Sequence, residues 1–188
     1  PRGPGQIVRH LISMPELRGV ETTLRGVSPC LVGRVVREVI VRNRSLRWPI
    51  PESVHELEGR TISAGTRRGK YLLFATDTGT LMIHLGMSGS LRVTDPGTPW
   101  RKHDHFAMET DRGLQIRLHD PRRFGAVLFI QDEVMKHPLL AELGPEPLSD
   151  EFTTACLHTA CKGKSAPIKA VIMDLSLIHI SEPTRRYA

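Results

Sequence analysis

Cysteine is scarce in these 188 residues, and its count is odd: Cys30, Cys156 and Cys161. Three scattered thiols exclude the paired framework of a small secreted disulfide protein. Long apolar runs are missing as well. None approaches the roughly 18 residues that a membrane-spanning helix requires. The opening Pro1-Arg2-Gly3-Pro4-Gly5 leads into no apolar core of a signal peptide. The expected setting is therefore reducing and cytoplasmic. Cys156 and Cys161 flank His158 on one expected helix, an arrangement that suits buried structural thiols better than a metal site.

Positive charge is what the chain has in excess. Lys and Arg number 26 against 20 Asp and Glu, giving a formal +6 and a pI near 9.7. That balance suits a polyanionic partner such as nucleic acid, although many basic proteins bind none. With 39% hydrophobic and 24% charged residues, the composition is that of an ordinary globular protein. The length allows one domain with a sizeable core, or one domain and part of another.

Apolar positions Leu17, Val20, Leu24 and Val27 recur at helical spacing, so the first element is expected to be an amphipathic helix, weakened by Gly19. Strand patterns follow at residues 35–41, 69–76, 81–85, 105–109, 114–118 and 126–130. Turn signals such as Asp77-Thr78-Gly79 and Asp111-Arg112-Gly113 separate several of them. Many short strands with tight turns predict an antiparallel sandwich or barrel. Helical pattern returns at 133–143, and again from Ser149, a candidate N-cap, to about Cys161. A third helix is expected to open at Ser165, with Pro167 in its first turn and Ile168, Val171 and Ile172 on its apolar face.

Met14-Pro15-Glu16-Leu17 reads as a protein start lying behind thirteen residues. Removal of an initiator Met there would expose Pro15 as a secondary amine beside the Glu16 carboxylate. Such an amine attacks a sugar aldehyde to give a cationic iminium, a covalent sink that needs no cofactor. An α-amino group titrates near about 7.7–8.0 and is partly neutral at physiological pH, whereas a lysine near about 10.4 would need a large depression. As an internal residue, Pro15 has an amide nitrogen and no nucleophilicity, and the Pro-Glu pair is a simple helix start.

Four collinear segments, PELRGVETTLR from Pro15, KYLL from Lys70, HLGMSGSL from His84 and DPRRFG from Asp120, resemble the formamidopyrimidine-DNA glycosylases. Arg47-Trp48-Pro49, Lys102-His103-Asp104-His105 and Leu143-Gly144-Pro145-Glu146-Pro147-Leu148 extend the resemblance from Met14 to about Asp174. It implies an α+β fold: an N-terminal helix plus antiparallel β-sandwich, followed by the first helices of an incomplete helix–two-turn–helix domain. It also implies removal of oxidised purines (8-oxoguanine and formamidopyrimidines) from double-stranded DNA, with cleavage of the abasic site through a Pro15 Schiff base. Such an enzyme must extrude the damaged nucleotide.

The resemblance assigns Pro15 as nucleophile, Glu16 as proton-transfer group, and Lys70 as a phosphate contact that assists catalysis. His103 and Lys169 are expected at the DNA strand, and Arg123 at a phosphate or an internal carboxylate. Met87, Arg122 and Phe124 are expected to fill the gap left by the extruded base, Arg122 contacting DNA as well. Bland alternatives stand beside each: core packing for Met87 and Phe124, solvated surface for Lys70 and Lys169. A metal site at His103-Asp104-His105 is not expected, because no third ligand is evident.

Arg18-Gly19 stands where the family has Pro-Glu, which removes a carboxylate near the site and adds a positive charge. The family's zinc finger uses two C-x-x-C pairs, and none occurs here, so no cofactor is expected. The expected organisation is an upstream extension over 1–13, a catalytic domain over 14–131 and the start of a helical DNA-binding domain over 132–174. Residues 175–188 resemble the conceptual translation of a sequencing adapter. With residues 1–13 blocking the Pro15 amine, the chain as it stands is expected to be an inactive monomer. Rival readings are the sibling endonuclease for oxidised pyrimidines, a non-catalytic DNA-binding relative, and a sequencing artefact that never folds.

Overall fold

A computed structural model describes residues 17–141, 143–146, 149–163, 165–166 and 171. The chain divides into two compact units between Val134 and Met135.

In the first unit, helix α1 (Leu17–Leu31) buries Val20, Leu24, Val27 and Leu31 along one stripe. Each contributes about 2 kcal/mol of burial free energy, which outweighs the helix-weakening effect of Gly19. Thr23 shares the stripe and returns its hydroxyl proton to the Gly19 carbonyl at 2.8 Å. The helix stops at Gly33, whose φ of +76° is left-handed and whose N–H has moved to the Ile62 carbonyl.

Eight strands form two antiparallel sheets. They are β1 (Val36–Val41), β2 (Ala64–Arg68), β3 (Tyr71–Ala75), β4 (Thr80–His84), β5 (Ser90–Thr94), β6 (Asp104–Thr110), β7 (Gln115–His119) and β8 (Ala126–Ile130). One sheet has the order β1-β6-β7-β5 and the other β2-β3-β4-β8. Val39, Leu91, Phe106, Met108, Ile116 and Leu118 of the first share a single core with Leu72, Phe74, Leu81, Ile83, Val127 and Phe129 of the second. The expected antiparallel β-sandwich is what forms. Its two open flanks are closed differently. Helix α1 lies against β2, β3 and β5, while a 3-10 helix (Glu52–Leu57) lies against β1 and β8.

Several boundaries differ from the sequence expectation. β2 and β5 were not expected as strands; both lie at sheet edges, and Ala-Gly-Thr-Arg-Arg and Ser-Leu-Arg-Val-Thr carry too few apolar residues to announce a buried face. Gly69 and Lys70 fall in the β2–β3 turn rather than in a strand, because Gly69 takes a φ of +55°. Leu85 likewise lies beyond β4.

Where the second unit begins, the helix expected over 133–143 is broken. A 3-10 turn (Val134–Lys136) precedes a short helix α2 (Pro138–Ala141). Pro138 disfavours helical backbone at His137, so one continuous helix cannot pass. Helix α3 (Thr154–Cys161) is capped by Thr153, whose hydroxyl accepts from the Cys156 N–H at 3.2 Å. Ser149, the expected cap, donates instead to the Glu146 carbonyl. Cys156 and Cys161 are half-buried rather than buried. Most of the helix expected from Ser165, including Pro167, Ile168 and Ile172, lies outside the described residues.

Candidate functional site

The antiparallel register gathers the segments singled out in the sequence. His84, at the end of β4, pairs with Tyr71 at the start of β3 and with Ala126 at the start of β8. His119, at the end of β7, pairs with Ser90 at the start of β5 and Asp104 at the start of β6. The turn bearing Lys70, the turn bearing Met87, the loop bearing Arg122, Arg123 and Phe124, and His103 therefore all lie at one end of the sandwich.

That end is stitched by buried polar groups. The fully buried Asp120 accepts from Ser88 Oγ at 3.1 Å and from the Gly125 N–H at 2.8 Å. Its backbone carbonyl is bonded to His105 Nε2 at 2.9 Å, and its N–H donates to the His103 carbonyl. Gly86, with a φ of +62°, passes so close to Phe124 that an added Cβ would stand 2.6 Å from that residue's carbonyl carbon. Arg123 holds a φ of +58°, a left-handed conformation rare for a residue with a side chain.

On this frame the loop tips point outward. Met87 is 55% exposed and Phe124 is 42% exposed, although both are large and apolar. The Arg122 guanidinium sits 5.6 Å over the Phe124 ring. Core packing is thus excluded for Met87 and Phe124. Lys70 and His103 are half-buried. Arg67 donates to Glu21 of α1 at 3.3 Å and to the Gly69 carbonyl at 2.9 Å, fastening the Lys70 turn to the N-terminal half of that helix. Pro15, Glu16 and Lys169 lie outside the described residues, as does the Arg18 side chain.

Positive charge gathers at this end. Burial, helped by the positive charges of Lys70 and Arg47, pushes the His84 pKa down to about 4. Burial also raises Tyr71, against the opposing effect of Arg47. Asp104, also buried, is held by its partners. Burial alone would raise its carboxyl, but the Arg101 N–H, Arg92 at 2.6 Å and His119 at 2.9 Å together hold it below the usual range. Its neighbours His103 and His119 meet edge to face at 5.9 Å. Among the described residues, no three His, Cys, Asp or Glu side chains form a group able to hold a metal ion.

Sequence reasoning fixed on the loop tips and missed their anchors. His84 and Asp120 begin the two motifs that carry Met87 and Phe124, so their positions were visible, but nothing local revealed what they hold together. Arg47 was noted without a role; its charge reaches His84 and Tyr71.

A helix-flanked antiparallel sandwich with one basic end tipped by exposed apolar side chains defines an α+β protein. Residues 14–127 match the family model described as the formamidopyrimidine-DNA glycosylase N-terminal domain. The chain is similar to the formamidopyrimidine-DNA glycosylase of Thiobacillus denitrificans, 53% identical over 166 residues, covering 88% of this chain and 61% of that one. The enzyme of that name from Idiomarina loihiensis is 47% identical over 165 residues with the same coverage. Among solved structures, the MutM (Fpg) protein of Thermus thermophilus matches with a TM-score of 0.72 at 35% identity, covering 87% of this chain and 58% of that chain. The Lactococcus lactis Fpg in complex with abasic-site DNA matches with a TM-score of 0.76 at 31% identity, covering 86% and 61%. The chain belongs to the formamidopyrimidine-DNA glycosylase family, and it spans about three fifths of the length of these relatives.

Proposed function

We propose that this chain carries the catalytic portion of a bifunctional DNA glycosylase that removes oxidised purines from duplex DNA and cleaves the abasic site. The observation that supports it most is the meeting of Lys70, His103, Met87, Arg122, Arg123 and Phe124 at one end of the sandwich, although they are far apart in sequence. The exposed Met87 and Phe124 suit insertion into the stack where a base has been extruded. The surrounding cations suit the phosphates on either side.

In this reading, a chain beginning at Pro15 attacks C1′ of the extruded nucleotide through its neutral ring nitrogen. The C1′–N bond to the base breaks, and the base departs with a proton. Glu16 protonates the sugar ring oxygen as the ring opens, leaving an iminium between Pro15 and C1′. The iminium acidifies C2′; loss of that proton expels the 3′ phosphate, and a further elimination expels the 5′ phosphate. Water finally returns the Pro15 amine. Lys70 and His103 hold the strand by its phosphates, with Arg123 beside them and Lys169 as a further contact.

The organisation that accompanies this reading is a catalytic domain over 14–131 and the start of a DNA-binding helical domain over 132–174, in a monomeric cytoplasmic protein acting at the nucleoid. Within these 188 residues the three cysteines form no C-x-x-C pair, so they offer no zinc site of the family's kind. No helix among the described residues is long and apolar enough to cross a membrane.

Borohydride reduction on abasic-site DNA tests the mechanism. A full-length protein beginning at Pro15 should yield a covalent adduct that a version retaining residues 1–14 does not. Absence of an adduct from the free Pro15 form would leave the non-catalytic DNA-binding reading, which the Arg18-Gly19 departure favours. Faster excision from oxidised-pyrimidine than from oxidised-purine duplexes would favour the sibling endonuclease instead.

A further inference from the structure

One histidine at this end has no part in the chemistry above. His84 closes β4, and its Nδ1 accepts from the Gly86 N–H at 3.2 Å, at the head of the Met87 turn. The Phe124 backbone also faces the ring, in a contact that favours its protonated form, so the group it presents is the carbonyl. The neutral ring that accepts from Gly86 carries its proton on Nε2. The ring also lies against Tyr71, 4.8 Å between centroids, and Tyr71 directly follows Lys70. Three segments thus meet on one imidazole.

The protonation state matters to this joint. A second ring proton would put an N–H on Nδ1 facing the Gly86 N–H, donor against donor. By its surface His84 is half-buried, yet it lies deep enough among protein atoms and near enough to Lys70 and Arg47 that its pKa falls to about 4. The acceptor is preserved at neutral pH. The two turns already touch at Gly86 and Phe124, so a shift in one moves the other.

We propose that His84 is a positioning residue that locks the Met87 turn and the Phe124 loop into one rigid wedge, so that both side chains enter the duplex together. The proposal rests on the reading that Met87 and Phe124 fill the gap left by the extruded nucleotide. Its test uses the full-length protein beginning at Pro15 and abasic oligonucleotides in single-stranded and duplex form. Only the duplex needs a gap filled.

His84→Phe keeps a ring against Tyr71 and loses both polar contacts. It should lower the duplex-to-single-strand ratio of borohydride trapping rates about tenfold, the scale of two modest hydrogen bonds. His84→Asn retains an acceptor for Gly86 and His84→Gln a donor for Phe124, so each should restore part of the ratio. A 2-aminopurine opposite the abasic site should brighten less with His84→Phe than with wild type. An unchanged ratio in all three variants, with thermal melts showing them folded, overturns the proposal, and so does an equal loss on both substrates. If wild type traps neither substrate, the Schiff-base reading fails. The 2-aminopurine signal, which needs no bond to the sugar, still decides the wedge.

Discussion

The Gly125 N–H donates to Asp120 Oδ2 at 2.8 Å, while Oδ1 of the same buried carboxylate accepts from Ser88. One anion therefore joins the Phe124 loop to the Met87 turn, and both its oxygens are satisfied inside the protein. The approach requires glycine. A Cβ at position 125 would stand 2.8 Å from the His84 carbonyl oxygen and 3.0 Å from Oδ2.

Gly125→Ala should accordingly destabilise the protein by about 1–3 kcal/mol in urea titrations, because the obstructing atom at His84 is backbone and cannot swing aside. Gly97→Ala is the matched control. Nothing lies within 4 Å of its added Cβ, so its change should stay within about 0.5 kcal/mol. Equal effects at the two sites would show that the loop is not tightly fitted at Gly125.

Met87→Ala and Phe124→Ala should leave stability within about 1 kcal/mol, since each removes a side chain already facing water. Phe106→Ala, at a fully buried position, should cost about 3–5 kcal/mol. Excision from duplex DNA by the full-length protein should fall with the two loop variants despite their unchanged melts. Loop variants that melted like Phe106→Ala would be core residues after all.

Stability should fall between pH 6.5 and 4 on account of His84. At pH 7 its ring is neutral in both folded and unfolded chains. As the pH drops below the ordinary value of 6.5, the unfolded ring takes a proton that the folded ring refuses until about 4. The linked loss is roughly 2 kcal/mol by pH 5. His137, also lowered by burial, adds a loss of the same sign as the pH falls below 6.5. The readout is therefore the difference between wild type and His84→Gln, whose curve should be flatter over that range. Parallel curves would refute the assigned shift.

Arg117 holds the 95–101 loop over the outer face of its sheet. It is fully buried, lies 4.0 Å over the Trp100 ring, and donates to the Thr98 carbonyl at 2.8 Å, the Pro96 carbonyl at 3.1 Å and Gln115 Oε1 at 2.9 Å. Arg117→Leu strands those acceptors and should cost about 3 kcal/mol. In a Trp48→Phe background, Trp100 fluorescence should become more accessible to iodide. Unaltered quenching would mean that the loop closes without the guanidinium.

What could be read along the chain was whatever local periodicity encodes. The stripe from Val20 to Val27 announced α1 because a helix returns the same face every three or four residues. Residues 126–130 matched β8 because the run is apolar and its ends are marked by turns. Polar edges such as Ala64–Arg68 and Ser90–Thr94 were silent, since an edge strand needs little apolar pattern. Pro138 broke an expected helix and Thr153 displaced Ser149 as a cap, both through backbone effects that periodicity does not weigh. The motifs named the exposed tips Met87, Arg122 and Phe124. Only the tertiary structure decided that these tips share one end of the sandwich with Lys70 and His103. Strand pairing joins residues distant in sequence through hydrogen bonds, and the anchors His84 and Asp120 acquire their partners only when those pairings form.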